Sequence, residues 1–598
     1  MMLKHKKWLT LGVAALSLMG LTACSNQANG TNKHVHFSQS YTASQPATKK
    51  GNHSTLHVAE VNDAPFAGMS APTLQSNQED EDVYSPGGNG SLFHTNKNYE
   101  IVNGGLANLK LNKKKNTALI TLKKNAKWSN GQKVTAKDVE YPYEIVANPK
   151  TKAQSFSNDM DDIKGMSAYH KGKASTISGI TFPNGPKGTK TLIHFNHLTP
   201  AMKYAGNDFT QDVVEPYQYI KNVPISKLGE SSQVRKHPIF AGPYKLKKQV
   251  QGESTTWVPN KYYYGKKPQI KHIDIQVVSS NNIEAAFKAK KYDFAFNYGI
   301  PSEQYPKIHA LKDYSEVGTP DQGYTDFGFN VGHANKSGVS VMDPNSKMHS
   351  ANLRKAMLYS INLDMIAKKL DNGIDYRGNT MIPPVFHKYH TSFASQPGYP
   401  YNMAKAKKLL KAAGYTKKNG SKYVTKPNGK PLVIHFGCMQ GSSAAKATDE
   451  YFLQQWHKLG LDVKFTTGKP MEMNSFYSEL QKPKQKAMDV FEASFGVGSE
   501  PTPTSMYGPD AADNMAHLNT KENTKLLNEM NDKKSFNLKH RIKIFHEWEK
   551  YMNKKAVYSP EFYDSLWTAV NHRVTGYSLS PSNNEFWSKL GLNSAKLK

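Results

Sequence analysis

The chain is short of cysteine, arginine and long apolar runs, and each shortage removes a class of protein. Two cysteines in 598 residues, Cys24 and Cys438, rule out a disulfide-built scaffold. Five arginines, Arg235, Arg354, Arg377, Arg541 and Arg573, stand among 78 basic residues, so the other 73 are lysines. Arginine's planar fork is the preferred reader of phosphate and guanine. So little of it argues against nucleic-acid binding, in spite of a net charge of +30. The lysines are spread along the chain with short runs such as Lys113-Lys114-Lys115, which describes a basic, well-solvated surface facing an anionic envelope. After Cys24 no apolar run approaches the roughly 20 residues that cross a bilayer. Enzyme signatures are missing as well. There is no Gly-x-Ser-x-Gly elbow and no phosphate-cradling Walker loop. His546-Glu547 opens like a zinc-protease helix, but Lys550 stands where the second histidine belongs. His387 and His390 have no acids or thiols nearby and read as surface histidines of a loop. Cys438, closing Leu432-Val-Ile-His-Phe-Gly-Cys438, reads as a buried strand residue. No catalytic group, metal or cofactor is expected.

What is present begins at the N-terminus. Lys4-His5-Lys6-Lys7 precedes an apolar run from Leu9 to Gly20, the grammar of a secretory signal. The run ends on Leu21-Thr22-Ala23-Cys24, which resembles the lipobox of bacterial lipoproteins. That resemblance implies cleavage before Cys24 and a diacylglycerol on its thiol. The mature chain would then be anchored by lipid on the extracytoplasmic face of the cell membrane, in a Gram-positive-type envelope. The alternative is a plain signal peptide with an incidental cysteine. Residues 24–52, rich in Ser, Thr, Asn, Gln and Lys, read as a flexible stalk.

Further on, the β-rich run Ala118 to Leu122 leads through Trp128-Ser-Asn130-Gly131 to Thr135-Ala-Lys-Asp138-Val139, a turn followed by a capping box. Phe240-Ala-Gly242-Pro243-Tyr244 and Asn260-Lys-Tyr262-Tyr263 follow, then the alternating strand Ile270 to Val277 and a helix from Asn282 to Lys288. Asn352-Leu-Arg354-Lys355-Ala356 begins another helix. Asn402 caps one that ends at Gly414, and residues 448–460 form an amphipathic helix before the strand Leu461 to Phe465. This order of segments resembles the extracellular solute-binding proteins of the oligopeptide-transport type, family 5. Asn130 stands where that family usually has aspartate, and either residue serves the turn. The resemblance implies an α/β, two-lobed periplasmic-binding-protein-like fold of the class C type, with an extra subdomain and hinge strands between the lobes. On that plan residues 1–23 are the leader and 24–52 the stalk. Residues 53–96, 236–326 and 559–598 build the first lobe, 97–235 its inserted subdomain and 327–558 the second lobe. The crossings fall near Phe327 and Tyr558.

One stretch reads as a site: Phe495-Gly496-Val497-Gly498-Ser499-Glu500-Pro501-Thr502-Pro503. Its glycines and prolines exclude a long helix, and its small residues let another backbone approach closely. It resembles the family loop in which a strand pairs with peptide backbone and an acid receives the α-ammonium, which makes Phe495 to Ser499 peptide-binding and Glu500 the acid. Read from the residues alone, Glu500 is equally a solvated turn residue, and Glu492 or Asp510 are other acids within reach of the register. The mechanism implied is β-strand addition followed by lobe closure. It would serve a monomer that hands oligopeptides to the permease subunits of an ABC importer. A signalling peptide, haem, nickel or a sugar oligomer would suit the same fold.

Overall fold

A computed structural model describes residues 34–598, apart from 89, 90, 152, 154, 297, 298 and 419. The leader and Cys24 lie outside the described residues.

The first lobe starts with β1 (Thr55–Val61), which buries Leu56, Val58 and Ala59. The chain then leaves for the inserted subdomain: β2 (Ala107–Asn112), β3 (Thr117–Leu122), α1 (Ala136–Ala147), β4 (Ile180–Thr181) and β5 (Lys190–His194). Its four strands form an antiparallel sheet in the order β2-β3-β5-β4 over a core of its own, which includes Ile120, Trp128 and Tyr143. α1 begins with the capping box read from the sequence. The Thr135 N–H donates to Asp138 Oδ2 at 2.7 Å, and Trp128 Nε1 donates to the same oxygen at 3.3 Å. The signature tryptophan and the capping acid are therefore one contact. Burial pushes the Asp138 carboxyl up to about 6, although these donors pull the other way.

Back in the first lobe come β6 (Tyr244–Val250), β7 (Ser254–Pro259), β8 (His272–Val278) and β9 (Phe294–Ala295), giving the order β9-β1-β8-β7-β6. β1 lies parallel between β8 and β9, and β6 and β7 add antiparallel hairpins. The Gly242 N–H donates to Gly87 O at 2.6 Å, and a Cβ on Gly242 would stand 2.3 Å from that oxygen. Glycine is required there by the closeness of two backbones.

β10 (Tyr314–Pro320) and β11 (Gly323–Phe329) carry the chain into the second lobe. That lobe contains α2 (Ala351–Tyr359), β12 (Tyr376–Arg377), α3 (Met403–Ala412), β13 (Val433–Gly437), α4 (Ser443–Leu459), β14 (Asp462–Phe465), β15 (Val490–Gly496), α5 (Leu538–Lys555) and β16 (Tyr558–Tyr563). β17 (Ser565–Asn571) returns to the first. The six-stranded sheet runs β12-β16-β11-β15-β13-β14, while β10 pairs with β17 in a separate ribbon. The junctions between sheet and ribbon are Asp321-Gln322 and Asp564, and the Asp321 N–H donates to Asp564 O at 2.9 Å. Phe327 and Tyr558 sit inside the second sheet, several residues from those junctions. The aromatic interior of this lobe forms where Phe327, Phe436, Phe452 and Trp456 meet under α4. Cys438 follows β13 and is buried, as its strand context suggests. Burial, then Asp449 and Glu492, push its thiol pKa up.

The stalk expectation fails for residues 34–52. His34 stacks on Tyr376 with ring centroids 4.3 Å apart, and the Val35 N–H donates to Gly373 O at 2.6 Å. Phe37 stacks on Trp567, and Ser38 O accepts from the Gly318 N–H at 3.0 Å. Thr48 then caps a short helix, Lys49–Asn52. The composition of this segment is polar, but a few aromatic anchors seated in slots along the hinge ribbon are enough to order it.

Candidate ligand cleft

A cavity of about 380 Å³ lies between the first-lobe wall and the second-lobe loop that follows β15. The wall is built from Phe93 to Thr95, the Gly242-Pro243 crossing, Tyr263, Tyr264 and the segment Glu585 to Trp587; Ser499 is the second-lobe contribution. The far-apart wall segments are stitched together by side-chain amides. The Thr95 N–H donates to Asn584 Oδ1 at 2.6 Å, and Asn584 Nδ2 returns a bond to Thr95 O at 2.8 Å, so an asparagine acts as a strand partner. Asn260 Nδ2 donates to Gly242 O at 2.9 Å and fixes the next segment. Phe586 and Trp587 pack edge to face, and Trp587 Nε1 donates to Ser85 Oγ at 3.2 Å. The lining is thus aromatic faces mixed with serine, threonine and asparagine side chains, with His94, Asp212 and Glu585 as its charge-bearing groups.

The lobes touch along a seam beside this cavity. Gly206 and Gly498, both in the left-handed region at φ +60° and +66°, bring their backbones together: a Cβ on Gly498 would lie 3.4 Å from Gly206 O. The hydroxyls of Tyr204 and Tyr389 hydrogen-bond across the seam at 2.8 Å. Lys388 Nζ pairs with Glu100 at 3.4 Å. The arrangement is closed. Burial, then the neighbouring Asp208 and Glu500, push the Asp159 carboxyl up to about 7.

The residues singled out from the sequence divide. Phe495 and Gly496 end β15, where they pair with Tyr324 and Gly323 of β11. On its other side β15 meets β13 through Val490 and Phe491, so the stretch from Glu492 to Gly496 runs beyond the end of β13. A Cβ on Gly496 would meet nothing within 4 Å. The Val497 N–H donates to Gln322 O at 3.0 Å, and Ser499 Oγ accepts from Gln322 Nε2 at 3.4 Å, tying the loop to the hinge junction.

Glu500 is neither a solvated turn residue nor a free acid. It is buried, with Arg541 Nη2 at 2.5 Å from one carboxylate oxygen and the Thr502 N–H at 3.0 Å from the other. Burial works against the Arg541 charge, but Glu500, with Tyr389 and Tyr204, outweighs it and holds the guanidinium pKa above its ordinary value. The pair is neutral overall, so it offers an arriving ammonium no net charge. Of the other acids considered, Glu492 is half-buried, its carboxyl pushed well above the carboxylate range by burial and then by Asp449, and Asp510 is exposed. Sequence reading missed Arg541, which also lies against the rings of Tyr204, Tyr389 and Phe545 at 5.3–5.6 Å. It missed Glu585 and Asp212 too, acids that line the cavity and form no salt bridge with a described residue. His390 is packed rather than on the surface: its Nδ1 bonds Ile382 O at 2.7 Å and its ring stands edge-on to Tyr563. His387 is exposed on the cleft side, near Tyr99.

Two α/β lobes joined by paired strand crossings, with a cavity between them, define a ligand-capturing binding protein. The model of the bacterial extracellular solute-binding proteins, family 5, matches residues 101–516, and the chain belongs to that family. It is a solute-binding protein and not an enzyme. The oligopeptide-binding protein OppA of Lactococcus lactis subsp. cremoris (strain SK11) is 36% identical over 539 residues, 90% of this chain and 87% of that one. OppA of Lactococcus lactis subsp. lactis (strain IL1403) is 34% identical over 602 residues, the whole of both chains. The structure of lactococcal OppA with an endogenous peptide in the closed conformation superposes with a TM-score of 0.81 at 34% identity, over 90% of this chain and 100% of that one. The Bacillus subtilis oligopeptide-binding protein AppA in complex with a nonapeptide shares the fold, with a TM-score of 0.67 at 19% identity over 91% and 99% of the two chains.

Proposed function

We propose that this protein captures oligopeptides in extended form between its lobes and delivers them to the permease of an ABC importer, tethered to the membrane through a lipid on Cys24. The observation that carries the reading is the run of β15 past the end of β13 into the loop that closes on the cavity. A strand edge there can bond any peptide backbone at about 0.5–1.5 kcal/mol per hydrogen bond, whatever the side chains. The aromatic wall then takes one or two side chains. The residues from Phe495 to Ser499 act through their backbone, and the Glu500–Arg541 pair holds their loop in place. The peptide's positive end meets Glu585, which with Asp212 lines the cavity without an ion pair to a described residue; Asp212 already accepts from the Gly206 N–H at 3.1 Å, which leaves Glu585 the freer acid.

Calorimetry with a defined peptide, its N-acetylated form, and the native and Glu585→Gln proteins tests this. Binding of the free peptide with weaker binding of the acetylated one is expected, and Glu585→Gln should remove that difference. Absence of binding across a peptide mixture would refute the oligopeptide reading. Binding with an acetylation penalty that persists in Glu585→Gln would refute the assignment of Glu585 alone.

A further inference from the structure

A second cavity, about 1130 Å³ and nearly three times the volume of the one in the cleft, opens on the outer side of the second lobe. It lies between α2, α3, the loop 390–399 and the outer face of α5, and shares no lining residue with the cleft. Six of its 21 lining residues are lysines: Lys355, Lys405, Lys539, Lys543, Lys550 and Lys554. The chain as a whole has 73 lysines in 598 residues, so the groove holds more than twice the average density. One acid lines it, Glu547, already paired with Lys543 at 3.7 Å. The remaining positive charge is uncompensated enough for the cations to disturb one another: burial, then Arg354, Lys405 and Lys554, lower the Lys355 pKa. Lys405 donates to the Tyr359 hydroxyl at 2.7 Å and is held in the groove by it. The Nε2 of His546 is buried there without a hydrogen-bond partner.

We propose that this groove is a second binding site, for a linear phosphate-rich polyanion. Four of the lysines, Lys539, Lys543, Lys550 and Lys554, follow one stripe of an 18-residue helix. Four residues of helix rise about 6 Å, so the stripe presents a row of charges to an extended chain. No arginine lines the groove. Lysine binds phosphate as a point charge and does not need the planar fork, so a row of ammonium groups suits a chain of closely spaced phosphates. The concave shape fits a chain lying in it better than a flat lipid surface.

The test titrates the full protein with linear inorganic polyphosphate across a salt series. It compares the wild type with Lys543→Gln/Lys550→Gln/Lys554→Gln and with Lys245→Gln/Lys247→Gln/Lys248→Gln. The second triple variant makes the same charge change on exposed β6, and unfolding midpoints confirm that both variants fold. The groove variant should bind at least tenfold more weakly. Each lost phosphate contact removes about 0.7 from the slope of log K against log salt, so its slope should fall by about two. The β6 variant should bind like the wild type. Equal losses in the two variants would reduce the effect to net charge and overturn the site. Equal binding of polyglutamate would overturn the phosphate assignment. Lysine-dependent binding to anionic vesicles without binding of soluble polyphosphate would overturn the linear polyanion in favour of a lipid surface.

Discussion

The Glu500–Arg541 pair makes the sharpest prediction, because a structural and a ligand-binding role for Glu500 move different measurements. Both side chains are almost fully buried, at 5% and 1% exposure. Removing one partner of such a pair strands the other charge and costs about 3–5 kcal/mol. Glu500→Gln leaves Arg541 with Met530 O at 3.1 Å, Thr502 Oγ1 at 2.7 Å, Tyr389 Oη at 3.2 Å and three ring faces, so its cost falls near the lower end of that range. Arg541→Met leaves the Glu500 carboxylate with the Thr502 N–H and falls near the upper end. The double variant strands no charge and should cost less than the sum of the singles by about 2–3 kcal/mol. Urea denaturation of the ligand-free protein measures all four corners of the cycle. A neutral pair also predicts that Glu500→Gln leaves the penalty for N-acetylating the peptide unchanged. Additive stability losses, or a stable Glu500→Gln protein that no longer distinguishes free from acetylated peptide, would refute the reasoning.

Other outcomes follow from the same geometry. Burial pushes the Glu549 carboxyl up to about 7 against donors from Thr380 and Thr391. Its folded pKa therefore lies above the unfolded one, and the stability it contributes is lost as pH rises from about 4.5 to about 7, by about 3 kcal/mol at 1.36 kcal/mol per pKa unit. Glu549→Gln should flatten the urea midpoint over that window; a difference from wild type that stays constant with pH would contradict it. At the seam, Gly498→Val adds a side chain against Gly206 at a left-handed φ. The lobes should be held apart, weakening peptide binding about tenfold, which is about 1.4 kcal/mol. Small-angle scattering should lose the peptide-induced compaction expected of the wild type, and unchanged compaction would show that the seam does not gate closure. Cys24→Ser should release the protein into the medium, since stable attachment needs at least two chains; retention through the same washes would exclude a lipid anchor.

Segments whose signals are local were legible in the sequence. The Thr135–Asp138 capping box, the Asn402 cap and the alternation of β8 depend on residues close in the chain, and the structure has each where the pattern puts it. Boundaries that depend on caps outside the apolar pattern were harder. α4 begins at Ser443, not near Thr448, because the Ser442 hydroxyl accepts from the Ala445 N–H at 3.3 Å and starts the helix before its amphipathic stripe does. Contacts between distant residues were out of reach. Glu500 and Arg541 are 41 positions apart and Thr95 and Asn584 are 489 apart, and no local pattern marks either pair. The stalk was misjudged for a related reason: composition averages over a segment, whereas His34 and Phe37 act one residue at a time.

One signal in the sequence did point to these contacts, the scarcity of arginine. All five arginines are engaged internally. Arg573 forks onto Asp293 at 2.6 and 2.7 Å, and Arg541 holds Glu500. Arg377 pairs with Asp364, Arg354 bonds the carbonyls of Ala556 and His349, and Arg235 bonds those of Gly229 and Ala67. A guanidinium is less strongly hydrated than an ammonium and presents five fixed donors, so it is the cation that can be buried with its bonds satisfied. Lysine suits exposed positions, where its charge stays in water. In a chain with so little arginine, each one marks a junction between segments. The division also shapes the cleft. With Arg541 spent on Glu500, the second-lobe side of the site presents a strand end, a glycine and a serine, and no free cation from arginine. On the proposed reading selectivity rests on the aromatic wall and on the acid at Glu585, while the lysine-rich surface lies outside, on the stripe of α5. Capture of many peptide sequences and attraction to an anionic surrounding can therefore proceed on separate faces without competing.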